Sequence, residues 1–190
     1  MTTQQERHVL FTGFGGQGIV MAGDILGKAA TLHDRKHATM TQNYGPEARG
    51  GSCSSQVIIS PEEILFPCVE EPEVLVCLSQ EAYTKNIKSL RAGGTLIWDA
   101  DLVHLRKTDP RWKTFSIPAT RFASELGNKM MANIVMLGFL AAVTDIASVE
   151  AMRKSVLDSV PKGTEALNTN AFNRGYECGV EKIRAIGEQK

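Results

Sequence analysis

Two glycine-rich stretches hold the residues best suited to meet a ligand or a partner. The first is Gly13-Phe14-Gly15-Gly16-Gln17-Gly18. Glycines at this spacing allow a tight turn and let a phosphate, or another main chain, come close to the backbone. A helix opening at Gly18 would add unpaired N–H groups and the positive end of its dipole. The second stretch is Asn43-Tyr44-Gly45-Pro46-Glu47-Ala48-Arg49-Gly50-Gly51. Arg49, beside two glycines, is a guanidinium able to fork onto a carboxylate or phosphate. Tyr44 offers an aromatic face and a hydroxyl, and Glu47 an acid, a base or a partner for Arg49. Taken singly, Glu47 and Arg49 read as an ordinary ion pair. The loop as a whole reads as a contact surface for a ligand or a subunit.

Other reactive side chains do not assemble into a site. Cys53, Cys68, Cys77 and Cys178 form no CxxC pair and have no zinc or iron–sulfur spacing. They are expected to be small buried hydrophobes in a reducing compartment. Cys53 follows the second glycine stretch, but no neighbouring cation lowers its pKa, so an inert thiol is expected. His8, His33, His37 and His104 share no metal-ligand spacing. Asp99 and Asp101 end a strand and are expected to cap a turn. No catalytic and no metal-binding residue is expected in this chain.

The elements that must hold the two stretches alternate. His8–Thr12 reads as a strand running into the first turn, and Gln17 to about Leu32 as the helix leaving it. Gly23 and Gly27 inside that helix would permit a close approach to a sheet. Lys36–Thr41 reads as a second strand, 42–51 as an irregular loop, and Cys53–Ser60 as a third strand. The turn at 60–63 is expected to send Ile64–Phe66 back antiparallel, making the sheet mixed. Val74–Leu78, Thr95–Trp98 and Lys113–Ile117 read as further strands, with a helix at Gln80–Leu90. Helices follow at Ala119–Leu126, Ala132–Ile146, Val149–Val160 and Thr164 to about Glu188, with Ser148 an N-cap. The expected fold is α/β: one domain over 1–190, a three-layer α/β/α Rossmann-like sandwich with a mostly parallel, mixed central sheet. In such a sheet both glycine stretches leave the carboxyl ends of strands, where ligand crevices form.

The first turn satisfies the dinucleotide fingerprint, but the acid expected to close strand two is missing. Asp34 has roughly the right offset and lies at the strand's wrong end. A stand-alone Rossmann-type nucleotide-binding protein is therefore the alternative rather than the main reading. A turn that serves packing alone is the third.

The blocks GFGGQG, TQNYGPEARGGSCSSQVIIS and MMANIVMLGFLAA closely resemble the gamma subunits of 2-oxoacid:ferredoxin (acceptor) oxidoreductases. The resemblance runs from Arg7 to about Tyr176, and the YGPEARGG loop looks most like the 2-oxoglutarate type. It implies a complex, inactive without its other subunits, that decarboxylates a 2-oxoacid oxidatively to acyl-CoA. Thiamine diphosphate, Mg and iron–sulfur clusters would lie on alpha and beta partners, with or without a ferredoxin-like delta subunit. Coenzyme A would be co-substrate and ferredoxin the acceptor. The family pattern points to Gly13, Gly15, Gly16, Gln17, Gly18, Tyr44, Gly45, Glu47, Arg49, Gly50 and Gly51 as cofactor-binding or subunit-contact residues. The corresponding indolepyruvate or pyruvate subunit stays open. Asn133, in the third block, is expected to cap a helix.

Bulk properties agree. Hydrophobic residues are 43% and charged residues 22% of the chain, as in ordinary globular proteins. Lys plus Arg equal Asp plus Glu at 21 each, which argues against a nucleic-acid or membrane-surface binder. The apolar run Ile134–Val143 is too short to span a bilayer, and a cytoplasmic location is expected.

Overall fold

The computed structural model describes residues 6–47, 50–105 and 108–188. Twelve longer elements follow in chain order. They are β1 (Arg7–Phe14), α1 (Ile19–Lys28), β2 (His37–Tyr44), β3 (Ser52–Ser60), β4 (Val74–Cys77), α2 (Gln80–Asn86), β5 (Thr95–Asp99) and β6 (Lys113–Ile117), then α3 (Ala119–Glu125), α4 (Ala132–Val143), α5 (Val149–Ser159) and α6 (Glu165–Gly187). The strands form one sheet in the order β2-β3-β1-β4-β5-β6. β1, β4, β5 and β6 are parallel, and β3 is antiparallel to both β1 and β2.

The expected α/β sandwich with a mixed sheet is present, but the mixing has another source. Ile64–Phe66 is not a strand. Both edges of β3 are already paired, one with β1 and one with β2, so a returning segment finds no free ladder. Pro61 and Pro67 also lack donors. Leu65 and Phe66 instead project outward, 87% and 67% exposed. The hairpin is β2–β3, and 45–51 is its loop. β2 also runs three residues past its expected end, because Gln42, Asn43 and Tyr44 keep pairing with Ser55, Ser54 and Cys53.

The sandwich is lopsided. Val9, Phe11, Val57, Val76, Ile97 and Ile117 face a thick layer made by α1 and α3–α6. Leu10, Leu75, Cys77 and Leu96 face the other way, under Tyr83, Ile87, Trp98, Leu102 and Trp112. Apolar side chains alternate to both faces, as covered parallel strands require. α4 is buried from Ala132 to Ala141, the behaviour of a helix apolar all round. It stops at Val143, short of Ile146, because Thr144 is extended and Asp145 turns to Arg7 at 2.7 Å.

Glycines set the closest contacts. A Cβ at Gly138 would strike the Phe172 carbonyl, and one at Gly175 the Val135 carbonyl. α4 and α6 thus meet main chain to main chain. Gly23 lets α1 settle on Ser55 of β3, whereas Gly27 faces open space; only the first has the packing role expected of both. Ser148 caps α5, its hydroxyl accepting from Ala151 N–H at 3.1 Å. The cap is held by Asp34, which accepts from Ser148 N–H at 2.8 Å and from its hydroxyl at 2.7 Å. No helix among the described residues is long and apolar enough to cross a membrane.

Candidate functional site

The two glycine stretches meet at the carboxyl rim of the sheet. Gly15 N–H donates to Gly51 C=O at 2.8 Å, and Gly45 N–H to Ser52 C=O at 2.7 Å. The first bond joins the turns and the second closes the hairpin loop. Gly16 and Gly50 have φ +94 and +69, with open space where a side chain would stand. Gly15 and Gly16 are exposed. Among the described residues, no chain acceptor takes the N–H of Gly16 or Gly18. α1 begins at Gly18 without a side-chain cap or an acid in its first turn, so its dipole is uncompensated there.

Gln17 faces inward. Its Oε1 accepts from Phe14 N–H at 2.6 Å and its Nε2 donates to Leu78 C=O at 2.8 Å. The amide clamps the turn to the end of β4. Gly13 leaves room for that clamp, since a Cβ there would lie 2.5 Å from Gln17 Oε1 and 2.7 Å from Ile19 Cδ1. Gly18 has φ +71 and stands against the Asn133 amide. Asn133, 3% exposed, donates to Gly18 C=O at 3.3 Å. Its Oδ1 accepts from Ile134 N–H at 2.9 Å in the first turn of α4, the capping bond expected of it, although the N-cap position itself is held by Met131. With its Nδ2, Asn133 also ties α4 to the glycine turn. An amide within an otherwise apolar run must find a buried partner, but the run does not say which one.

In the hairpin loop, the Glu47 side chain folds back over Gly45 and Gly51, where a Cβ on either would strike its carboxylate. Tyr44 stands out from the rim, 60% exposed, its hydroxyl donating to Gln42 Oε1 at 3.3 Å. Arg49 lies outside the described residues. A notch of about 430 Å³ opens between the loops, lined by Gly15, Gly16, Tyr44, Glu47, Gly50 and Gly51 among others. Beyond Tyr44 and Ser52 a second groove of about 290 Å³ descends between β3 and α2. Its polar lining includes Asn43, Ser54 and Gln56, which lie within the second sequence block, and Glu81 and Lys85, which lie in no motif. They come from three elements, and only the sheet order brings them together.

The topology explains the absent ribose reader. β3, the strand beside β1, begins at this rim, with Ser52 opposite Phe14. It has no carboxyl end to offer there. Asp34 is engaged with Ser148 at the far side. Asp99 is fully buried and accepts from Asp101 N–H, Thr120 N–H and the Thr120 hydroxyl at 2.9, 2.8 and 2.6 Å, so it anchors turns.

The thiols correct one expectation. Cys53 and Cys77 are buried, but Cys68 is exposed and Cys178 half-buried. Burial raises the Cys53 thiol and pushes Cys77 up from 9.0 to about 12. Cys68 is expected to react at once with a thiol reagent, Cys53 and Cys77 only on unfolding. For Cys77 the folded-state value is the higher one. Its stabilising contribution is whole below about pH 9 and drains as pH rises toward 12. Unfolding midpoints of wild type and Cys77→Ala across that window check the sign. The wild type should lose the larger share.

A mixed, mostly parallel sheet covered by helices, with main chain from two turns gathered at its carboxyl rim, defines a Rossmann-like domain of the α/β class. More particularly, the chain belongs to the pyruvate ferredoxin/flavodoxin oxidoreductase family, whose model matches residues 8–178. The 2-oxoglutarate synthase subunit KorC of Methanocaldococcus jannaschii is 51% identical over 180 residues, covering 94% of this chain and 96% of that protein. The gamma subunit of a keto/oxoacid ferredoxin oxidoreductase from Geobacter sulfurreducens PCA superposes with TM-score 0.80 at 38% identity, over 92% of this chain and 99% of that one. A 2-oxoglutarate:ferredoxin oxidoreductase from Magnetococcus marinus, solved with 2-oxoglutarate, coenzyme A and succinyl-CoA bound, has TM-score 0.83 at 22% identity. There the shared fold covers 93% of this chain and 31% of the longer one. The family resemblance carried by the three sequence blocks therefore holds.

Proposed function

We propose that this chain is the gamma subunit of a 2-oxoglutarate:ferredoxin oxidoreductase. One observation carries the reading: two bare main-chain turns, locked together by the Gly15–Gly51 bond, in a chain 51% identical to a 2-oxoglutarate synthase subunit. In the reaction, the C1–C2 bond of the oxoacid breaks and carbon dioxide leaves. The acyl carbon joins the coenzyme A sulfur, a proton is released, and an electron pair passes on to ferredoxin.

The thiols here are unsuited to hold a cluster, two being buried in the sheet and two scattered elsewhere. Nor do three or more His, Cys, Asp or Glu gather among the described residues to hold a metal ion. We assign the iron–sulfur clusters and Mg to alpha and beta companions on these grounds, and thiamine diphosphate with them from the family resemblance, and derive no step through them. The role of this chain is to present its rim. The exposed N–H groups of the first turn, Tyr44 and the hairpin loop contact a companion subunit or the coenzyme A phosphates. Gln17 and Asn133 hold that surface rigid, which limits the ordering needed on contact. Free thiols suit a reducing cytoplasm.

The test is reconstitution with the companion subunits. The complex is expected to reduce a dye acceptor only when 2-oxoglutarate and coenzyme A are both present, and the isolated chain to be silent. With 2-oxoglutarate, kcat/KM should exceed that with pyruvate, ketoisovalerate or indolepyruvate by at least about tenfold, a difference of ~1.4 kcal/mol in transition-state binding. A turnover by the chain alone, or tight saturable NAD binding to it, would overturn the reading.

A further inference from the structure

The 61–73 connector has no part in the carboxyl rim. It leaves β3 at Ser60, and Ile59 pairs with Arg7, so it projects from the opposite rim of the sheet. Its tip is Ile64-Leu65-Phe66-Pro67, with Leu65 and Phe66 largely in solvent. Its flanks are acidic. From Gly50 to Thr84 the sequence holds six glutamates and no Lys, Arg or His. Glu73 is paired with Arg7 and Arg91, and Glu81 lies in α2. The remaining four, Glu62, Glu63, Glu70 and Glu71, are exposed, and none has an ion-pair partner among the described residues.

The exposure is not that of a loose end. Glu62 N–H donates to Ser60 Oγ at 3.1 Å, and Val69 N–H to Gln56 Oε1 at 3.2 Å. Val69 is buried, and Arg91 N–H donates to Pro72 C=O at 3.2 Å. Pro61, Pro67 and Pro72 fix φ along the way. The apolar tip is therefore held out from a pinned base. Between it and the body lies a hollow of about 660 Å³, walled by Phe66, Glu70 and Glu71 on one side and His8 and Arg91 on the other.

We propose that this connector is a docking finger for a companion polypeptide that carries an apolar pocket rimmed by Lys and Arg. The proposal rests on the reading of the chain as one subunit of a complex. Leu65 and Phe66 fill the pocket, and the unpaired glutamates meet the basic rim. Charge decides between occupants. Two fingers from two copies of this chain would bring like charges together, whereas a basic rim on a different chain complements them. The finger and the glycine rim then form separate contacts at opposite ends of the sheet.

The test uses the chain with its companion subunits. Leu65→Ser/Phe66→Ser should melt like wild type in isolation, since both residues are exposed. Its affinity for the companions should fall at least about tenfold, as for apolar anchors at an interface. Wild-type affinity should weaken with salt, and Glu70→Gln/Glu71→Gln should flatten that dependence. At saturating companion concentrations the assembled Leu65→Ser/Phe66→Ser complex should turn over at the wild-type rate. Unchanged affinity of the apolar variant overturns the finger alone. So does a variant whose only change is loss of self-association in sedimentation. A wild-type chain that binds no companion overturns both this proposal and the reading on which it rests.

Discussion

Leucine at position 15 is expected to leave the isolated chain folded and to remove most of the activity of the reconstituted complex. Gly15 is not among the residues with positive φ. A Cβ there would lie 3.6 Å from Gly50 N and 3.7 Å from Gly51 C=O, which is ordinary contact. The backbone thus accepts a side chain, and the unfolding midpoint should move by no more than about 2 °C, a change of at most ~1 kcal/mol. The leucine would nevertheless stand on the exposed main chain that the proposed contact needs. Displacing a docked surface or a bound reactant by about 1 Å costs on the order of 100-fold in rate. A fall of that size in kcat/KM for coenzyme A or the oxoacid is the expected result, with Gly15→Ala losing less. Gly16→Leu is the poorer probe, because its φ of +94 adds backbone strain. Wild-type kinetics in Gly15→Leu would mean that the turn serves packing only.

The second large effect is on stability. Gly138→Ala places a methyl group on the Phe172 carbonyl, and Gly175→Ala places one on the Val135 carbonyl. No side-chain rotation relieves either clash, since both partners are backbone. α4 and α6 must move apart along their whole contact, at a cost of about 2–4 kcal/mol each. Gly27→Ala is the control within the same fold. Nothing lies within 4 Å of its Cβ position, and alanine in a helix interior should stabilise by about 0.5–1 kcal/mol. Urea unfolding of the three variants checks both signs. A Gly138→Ala protein as stable as wild type would show that the two helices are not in the close contact described.

The contrast between Gly27 and Gly138 also marks what a sequence can express. Each is a glycine in a helix, and local spacing says nothing about what stands opposite. Elements defined by their own residues were legible. The continuous apolar run Val74–Leu78 is a covered strand, Ser148 is a cap, and 132–143 is a buried helix. Ile64–Phe66 misled because an apolar triplet after a turn looks like a strand, whereas strand formation needs a free neighbouring edge. β3 had none. For the same reason Gln42–Tyr44, polar and next to a glycine loop, joined β2 because β3 supplied the ladder. At the candidate site, the meeting of the two glycine stretches was legible from the rule that loops after parallel strands share a rim. The inward clamp of Gln17 and the reach of Asn133 to Gly18 were not. Both depend on which helix crosses behind the turn. Arg49 lies outside the described residues, and the contact role proposed for it rests on the family resemblance alone.

The burial of α4 has a consequence for biosynthesis. A helix with no polar side can be solvated by neither water nor a single neighbour, and α6, which covers much of it, is made after it. A nascent or clipped chain ending before Glu165 carries α4 without that cover. Such a fragment exposes a sticky apolar cylinder of the kind that draws chaperones and seeds aggregates. Quality control of this protein therefore falls on whether α6 has arrived, long before any companion is met.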